Sequence, residues 1–342
     1  MPYALCSLRV TWGSVMDDEI LRLLRGPSGS FRSGEEISRR LRVSRTAVWK
    51  RIKNLRASGY DIEASSRRGY RLLRSPDLLT PTEIKPLLKT KWMGKTIHHF
   101  QTIASTNTEA YQLALRGAPE GEIVIAESQE NGRGRLGRHW VSPPFLNLYL
   151  SVILRPELLP SQASLMTLMA AVAVAEAIER FSGLPPVIKW PNDILLNNCK
   201  VAGLLNEIHS ETDRIHFVIL GIGVNLNMEK ERLPKEIRAM ATSLKMEAGK
   251  AVSRKEFLSC LLETLEQWYT LFLREGGTPV LAAWRERARI KGKPVKVTSF
   301  GETLIGRAVD VDAEGRLILE TEGGEQKRVV AGDVEYQQGV NG

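Results

Sequence analysis

Cysteine is nearly absent from this sequence of 342 residues: Cys6, Cys199 and Cys260 are its only three, far apart and odd in number. That excludes a disulfide framework and any paired-cysteine metal knuckle. Histidine is as scarce. His98, His99, His139, His209 and His216 show no HExxH or related spacing, so zinc-dependent hydrolysis has no support. Long apolar runs are missing too. The longest, Leu165 to Ala175, stops at Glu176, short of the roughly 20 residues a bilayer-spanning helix needs, and reads as a buried helix. The opening MPYALCSLRVTWGSV has one Arg and no apolar core ahead of a small-residue cleavage site. No secretory signal and no membrane partner are expected, and the cytoplasm is the expected location. There are no repeats and no low-complexity tracts. What is present is ordinary globular composition, 43% hydrophobic and 25% charged, in a chain long enough for two or three domains.

Charge is unevenly spread. The formal net charge is +9, and residues 16 to 75 alone carry fifteen Lys and Arg against seven Asp and Glu. A positive field confined to one small segment points to a polyanionic partner for that segment. Its apolar pattern predicts three helices and a hairpin. Asp17, Asp18 and Glu19 open the first helix, with Ile20, Leu21, Leu23 and Leu24 as its stripe. Ser33 and Glu36 have capping-box spacing ahead of Ile37 and Leu41. Ser44 can cap the third helix, where Val48, Ile52 and Leu55 form the buried side and Arg45, Thr46, Lys50 and Lys53 the other faces. Gly59 ends it. Tyr60 to Glu63 and Gly69 to Leu73 alternate as two strands around a basic tip that includes Arg67 and Arg68. This is a winged helix-turn-helix pattern, whose third helix enters a major groove while the wing grips phosphates. A small helical domain with a solvated basic surface is the bland alternative.

Ser75-Pro-Asp through Thr80-Pro-Thr reads as a hinge. Beyond it, residues 93 to 283 mix strand-like runs (Glu122 to Ala126, Leu146 to Leu154) with a helical one (Ser164 to Phe181), an α+β pattern. After Lys293 the runs become short and β-like: Val295 to Thr298, Thr303 to Val311, Arg316 to Leu319 and Lys327 to Val330, separated by Gly301, Gly315 and Gly323-Gly324. That predicts a small barrel.

The segment Gly132-Arg-Gly-Arg-Leu-Gly-Arg138 follows the strand-like Ile123 to Glu127. Three glycines permit close backbone approach, and three arginines offer forked donors for phosphate or carboxylate. It is neither a Walker A loop nor a Rossmann turn, since His139-Trp140-Val141 and Pro143-Pro144 come next where a helix should open. Alone it could equally be a basic nucleic-acid loop. Lys189-Trp-Pro-Asn-Asp193 joins a cation, an aromatic, a rigid turn, an amide and a carboxylate, the last two suited to magnesium and nucleotide contacts. Lys200 precedes Val-Ala-Gly203, a small-residue strand from which a lysine can reach a ligand, although a lone strand-end lysine is by default solvated. Gly221-Ile-Gly-Val-Asn225-Leu-Asn227 adds a glycine-bearing strand with two amides.

Together with Ser105-Thr106-Asn107 and Ala126-Glu-Ser-Gln129, these segments span about 120 residues and closely resemble the biotin–protein ligase family in content and order. The order of all three regions resembles its bifunctional repressor members. The resemblance implies a winged helix-turn-helix DNA-binding domain over residues 16–76. It further implies a central mixed-sheet catalytic domain of the biotin/lipoate ligase type over 93–283, and a C-terminal SH3-like barrel over 290–339. It implies ATP-dependent formation of biotinyl-5′-AMP and transfer of biotin to a lysine of a biotin carboxyl carrier protein, with ATP and Mg2+ as cofactors. Operator DNA, bound at a palindromic site, and a homodimer formed when the adenylate is bound complete the implied partners.

The resemblance also implies roles. A turn at Ser105, Thr106 and Asn107, together with Gln129, would bind the ureido ring and its surroundings. The loop from Arg133 through Gly134 to Arg135 would close over carboxylate and phosphate, and Trp140 would pack on adenine. Lys200, Arg135 and Asp193 would be catalytic, with Asp193 also at the metal and Asn192 at the nucleotide, while Lys189, Gly203 and Asn225 would complete the substrate site. Arg45, Thr46, Lys50, Lys53, Arg67 and Arg68 would contact DNA. The inventory suits the chemistry, because carboxylate attack on a phosphate needs aimed cations rather than a nucleophilic side chain. One departure is Leu136, where some repressor-type relatives carry a basic residue. Another is the stretch before Met16, which matches nothing in the family and suggests an upstream start or an extension. Two rivals stand beside this reading: a lipoate–protein ligase, and a repressor that senses an adenylated ligand without catalysis.

Overall fold

The computed structural model describes residues 15–26, 30–299 and 302–336. Cys6, Gly301 and the stretch before Met16 lie outside the described residues, apart from Val15, which opens the first helix. The chain divides after Pro86 into two compact units.

The first unit contains α1 (Val15–Leu24), α2 (Gly34–Leu41) and α3 (Arg45–Ala57), the hairpin β1 (Asp61–Ser65) and β2 (Gly69–Arg74), and the short α4 (Pro81–Ile84). The predicted stripes meet in one core of Ile20, Leu21, Leu24, Ile37, Val48, Ile52 and Leu55, closed by Tyr60 and Ile62 from the hairpin. Both predicted serine caps form: Ser33 Oγ accepts from the Glu36 N–H at 3.0 Å and Ser44 Oγ from the Ala47 N–H at 3.1 Å. Only half of the expected capping box is made, because the Glu36 carboxylate pairs with Arg32 at 3.3 Å instead of returning to the cap. The expected hinge has no helix or strand at 75–80, yet the first unit continues to Pro86. The reason is Glu83, a buried carboxylate that accepts a hydrogen bond from the Tyr60 hydroxyl at 2.8 Å and pairs with Arg25. Burial and that carboxylate hold the Tyr60 phenol protonated well above its ordinary range.

The second unit is built on a seven-stranded mixed sheet. Its strands are β3 (Ile97–Ile103), β4 (Ile123–Gln129), β5 (Leu148–Leu154), β6 (Val187–Lys189), β7 (Asp193–Leu196), β8 (Cys199–Ser210) and β9 (Ile215–Val224). They lie in the order β3-β4-β5-β9-β8-β7-β6; β3 and β4 are parallel and every other pair is antiparallel. All seven residues of β5 are buried, as a strand covered on both faces requires. Helix α5 (Thr106–Leu115) packs on β4, β5 and β9, and α6 (Ala163–Ser182) on β6, β7 and β8. After α7 (Leu244–Ala248), α8 (Arg254–Glu275) and α9 (Gly277–Ala288) pack on α6. The apolar run that stopped at Glu176 in the sequence therefore belongs to a twenty-residue helix. By length and composition alone this helix could cross a bilayer, but Leu165 through Ala175, apart from Thr167, are all buried in the unit.

The C-terminal strands β10 (Pro294–Ser299), β11 (Glu302–Val311), β12 (Leu317–Glu320), β13 (Gln326–Val329) and β14 (Asp333–Tyr336) form an antiparallel sheet in the order β13-β12-β11-β10-β14. A small C-terminal β domain is present as expected, but among the described residues its outer strands β13 and β14 are not hydrogen-bonded to one another, so the expected barrel is open there. Val295, Val297, Ala308, Val311, Leu317 and Leu319 form its interior.

Candidate active site

The sheet and its loops enclose a cavity of about 770 Å³ that gathers nearly every residue singled out in the central motifs. Its polar floor is wired by internal hydrogen bonds. Ser105 and Thr106-Asn107, expected as a turn, are the N-cap and first turn of α5. The Thr106 N–H and hydroxyl both donate to Gln129 Oε1, at 2.8 and 3.1 Å, and Gln129 Nε2 donates to Ser142 Oγ at 3.1 Å. Ser151 on β5 sits with its hydroxyl 2.8 Å from Thr106 Oγ1 and 2.6 Å from Asn107 Oδ1. Asn107 Nδ2 donates to the Glu207 carboxylate at 2.9 Å and to the Leu205 carbonyl at 3.2 Å. A β-carbon at Gly221 would overlap the Asn107 amide, which is why β9 carries glycine there.

A second pair of glycines makes a slot. Gly203 on β8 and Gly223 on β9 face each other across the ladder, and the Trp140 indole lies against both. A β-carbon at Gly223 would come 2.5 Å from Trp140 Cε2, and one at Gly203 would come 3.0 Å from Trp140 Cζ3. The indole Nε1 is buried without a hydrogen-bond partner, so a donor waits inside the cavity.

The cations converge, and four of them are paired with internal acceptors. Lys200 Nζ lies 2.6 Å from Asp193 and 5.4 Å from the Trp140 ring centroid. Arg133 pairs with Glu207 at 3.1 Å. Arg135 donates to Asn192 Oδ1 at 3.0 Å and to the Gly332 carbonyl at 3.3 Å, and Arg138 pairs with Asp333, so the C-terminal sheet closes one wall. Burial pulls the Arg135 pKa below the usual guanidinium value, while Asp333 and Asp193 act in the opposite sense; the group remains a cation at neutral pH. The Lys189 and Lys293 ammonium groups lie 5.8 and 5.1 Å from the Tyr336 ring centroid. The Tyr336 hydroxyl is buried and unpartnered, and burial pushes its pKa up to about 12.

Two amides named in the sequence are engaged internally. Asn225 donates to the Thr242 carbonyl at 3.0 Å and accepts from Asn147 at 3.4 Å. Asn192 donates to the Leu204 carbonyl at 2.6 Å while holding Arg135. Trp190, 2% exposed, points away from the ligand space, its indole donating to the Gly315 carbonyl at 3.2 Å. Gly134 shapes the loop, its N–H closing on the Arg138 carbonyl at 2.7 Å. Leu136 takes a left-handed backbone (φ 54°) with its side chain in solvent. Sequence reasoning missed Ser151, Glu207, Lys293, Asp333 and Tyr336. Glu207 had a faint signal, seven residues beyond Lys200 on one strand. Asp333 and Tyr336 lie on β14 of the C-terminal sheet and Lys293 just ahead of β10, far along the chain from the central motifs, so local spacing gave no signal for them. Among the described residues no group of three or more His, Cys, Asp or Glu is arranged to hold a metal.

In the first unit Arg45, Thr46, Lys50 and Lys53 are exposed on α3, and Arg67 and Arg68 are exposed at the tip of the β1–β2 hairpin. The Arg68 guanidinium stacks 4.0 Å from the Phe31 ring centroid.

Three family models match the chain in order: an HTH domain at residues 18–71, the biotin/lipoate A/B protein ligase family at 99–225, and the biotin protein ligase C-terminal domain at 291–336. These segments define a ligase with a helix-turn-helix head. The chain is 39% identical to the bifunctional ligase/repressor BirA of Bacillus subtilis, over 94% of this chain and 99% of that protein. It is 32% identical to the Escherichia coli protein of the same name, over 86% and 90%. The biotin protein ligase of Aquifex aeolicus, solved in complex with biotin and ATP, is similar in fold with a TM-score of 0.61 at 27% identity, over 72% of this chain and all of that one. The chain belongs to the bifunctional biotin protein ligase/repressor family.

Proposed function

We propose that this protein joins biotin to ATP as biotinyl-5′-AMP, transfers biotin to a lysine of a biotin carboxyl carrier protein, and represses transcription through its first unit. The observation that carries the ligase reading is the convergence of Lys200, Arg133, Arg135 and Lys189 on one cavity beside a prewired amide and hydroxyl floor. In the first step a biotin carboxylate oxygen attacks the α-phosphorus of ATP and pyrophosphate leaves. Two anions must approach, so the cations aimed at the reacting oxygens lower the barrier by fixed electrostatics. Binding exchanges partners: Lys200 leaves Asp193 for carboxylate and α-phosphate, and Arg133 and Arg135 turn from Glu207 and Asn192 to the adenylate. Thr106 and Gln129 take the ureido ring, and Trp140 takes the adenine.

Lys189, Lys293 and the Tyr336 hydroxyl supply the positive, donor-bearing wall for the departing phosphates. Magnesium would arrive with ATP and neutralise phosphate charge; Asp193 is the carboxylate placed to ligate it, which fits an ion that is held mainly by phosphates and water. In the second step the carrier lysine amine attacks the acyl carbon of the mixed anhydride and AMP leaves with the bonding electrons. The closed loop keeps water from that anhydride. No side-chain nucleophile enters either step.

The DNA reading rests on the exposed cations of α3 and the hairpin tip, with residues 16–76 as the binding domain. The protein is taken to act in the cytoplasm, as a homodimer when the adenylate is bound, on a two-fold operator. Residues 93–283 and 290–339 are the catalytic and C-terminal domains. The test is pyrophosphate release with ATP, magnesium and either biotin or lipoate, followed by transfer to a carrier domain. Turnover with biotin alone is expected. Turnover with lipoate alone would redirect the enzyme, and none with either acid would leave a sensing repressor.

A further inference from the structure

Helix α3 carries Arg45, Lys50, Arg51, Lys53 and Arg56 and no acidic residue. Two of these cations serve the fold: Arg51 pairs with Asp17 at 3.4 Å and Arg56 donates to the Ile62 carbonyl at 2.8 Å. Val48, Ile52 and Leu55 face the core. On the remaining face, between Arg45 and Thr46 on one turn and Lys50 and Lys53 on the next, lies one large apolar side chain, Trp49, 51% exposed and outside the core of the unit. Lys53 Nζ lies 5.6 Å from its ring centroid, so the ammonium one turn along holds the indole. Trp49 is the fifth residue of a helix capped by Ser44, and in helix-turn-helix proteins the first turns of this helix reach base edges. A cationic face with one apolar ring suits a duplex groove: phosphates take the cations, and the apolar feature among base edges is the thymine methyl group.

We propose that Trp49 is a base-reading residue of α3 that packs against the 5-methyl group of thymine in the major groove. The inference rests on the DNA-binding reading of the first unit. It assigns Trp49 to specificity and the neighbouring cations to backbone contact.

The test uses the full chain with biotin, ATP and magnesium to enrich duplexes from a random pool, then measures binding to the enriched duplex by fluorescence anisotropy. Trp49→Ala should weaken that duplex about tenfold while leaving a scrambled duplex and the salt slope nearly unchanged. Replacing single thymines by deoxyuridine removes only the methyl group. At one position in each half-site this should weaken the wild type about fivefold and leave Trp49→Ala unaffected, with Trp49→Phe in between. Circular dichroism and thermal unfolding of both variants separate loss of contact from loss of fold. Equal weakening on enriched and scrambled DNA overturns the assignment while the DNA reading stands, as does the absence of any thymine coupled to residue 49. Unchanged DNA binding with loss of self-association would hand the indole to a protein contact and also overturns it. A wild type that enriches no sequence removes the DNA reading, and the assignment with it.

Discussion

Gly223→Ala should impair adenylate formation far more than a one-methyl change on a strand normally would. The added β-carbon would stand 2.5 Å from Trp140 Cε2, against the roughly 3.5–4.0 Å at which carbon atoms rest, so something must move about 1 Å. Gly223 is fixed in the middle of a ladder between β5 and β8, leaving the indole as the group that yields. Misplacing a substrate-positioning group by about 1 Å can lower turnover about 10²-fold. Gly203→Ala is the internal control. Its β-carbon meets Trp140 and the end of Lys200 at 3.0 Å, a shorter displacement partly taken up by a flexible side chain, so a loss nearer tenfold is expected. Pyrophosphate release at saturating biotin with varied ATP reads the effect, and biotin binding by calorimetry should change little, because the floor around Thr106 and Gln129 lies apart from the slot. Trp140→Phe in the Gly223→Ala background should recover part of the rate by relieving the overlap. Equal activity of Gly223→Ala and the wild type, or a Gly203→Ala loss exceeding that of Gly223→Ala, would refute the reasoning.

Lys200→Met should lower adenylation by about 10²–10³-fold while the protein melts near the wild-type temperature, since its partner Asp193 stays partly solvated; a loss under tenfold in a stopped-flow assay would remove Lys200 from the reacting centre. Arg254→Met removes the guanidinium from a buried ion pair with Glu127, each partner being 1% exposed at 2.7 Å. Breaking such a pair costs about 3–5 kcal/mol, so the second unit should melt about 6–20 °C lower by calorimetry, and Glu127→Gln added to Arg254→Met should recover part of that. Arg67→Ala should reduce the salt slope of DNA binding by about one per protomer without changing sequence preference; a changed preference would make it a base contact. Chelating magnesium should stop pyrophosphate release and leave calorimetric biotin binding intact.

What the sequence disclosed follows from what is local. Val48, Ile52 and Leu55 have helical spacing, Ser44 caps as its side chain dictates, and Leu148 to Leu154 form a strand apolar enough to be buried on both faces. The lysines and arginines of the motifs do line the cavity, because each sits within a few residues of a glycine or turn that fixes its direction. Other features depend on packing between distant segments. Glu83 extends the first unit past its expected hinge through Tyr60 and Arg25, about 20 and 60 residues away in the chain. Asp333 and Tyr336 reach the cavity from β14, a strand the periodicity did not pick out, and only the packing of the C-terminal sheet against the central one brings them there. The start of α5 reads as a turn in the sequence because Ser-Thr-Asn favours turns and helix caps alike.

The hydrogen bond from Trp190 to Gly315 bears on how such proteins can be taken apart. Three matched segments suggest modules that evolution or an engineer could shuffle, yet the most conspicuous aromatic of the central motif is a rivet driven into the terminal one. Grafting a foreign C-terminal domain, or deleting this one, would strip cover from a large indole at the root of the hairpin that presents Lys189, Asn192 and Asp193. Within the second unit, the tail is inherited with the catalyst.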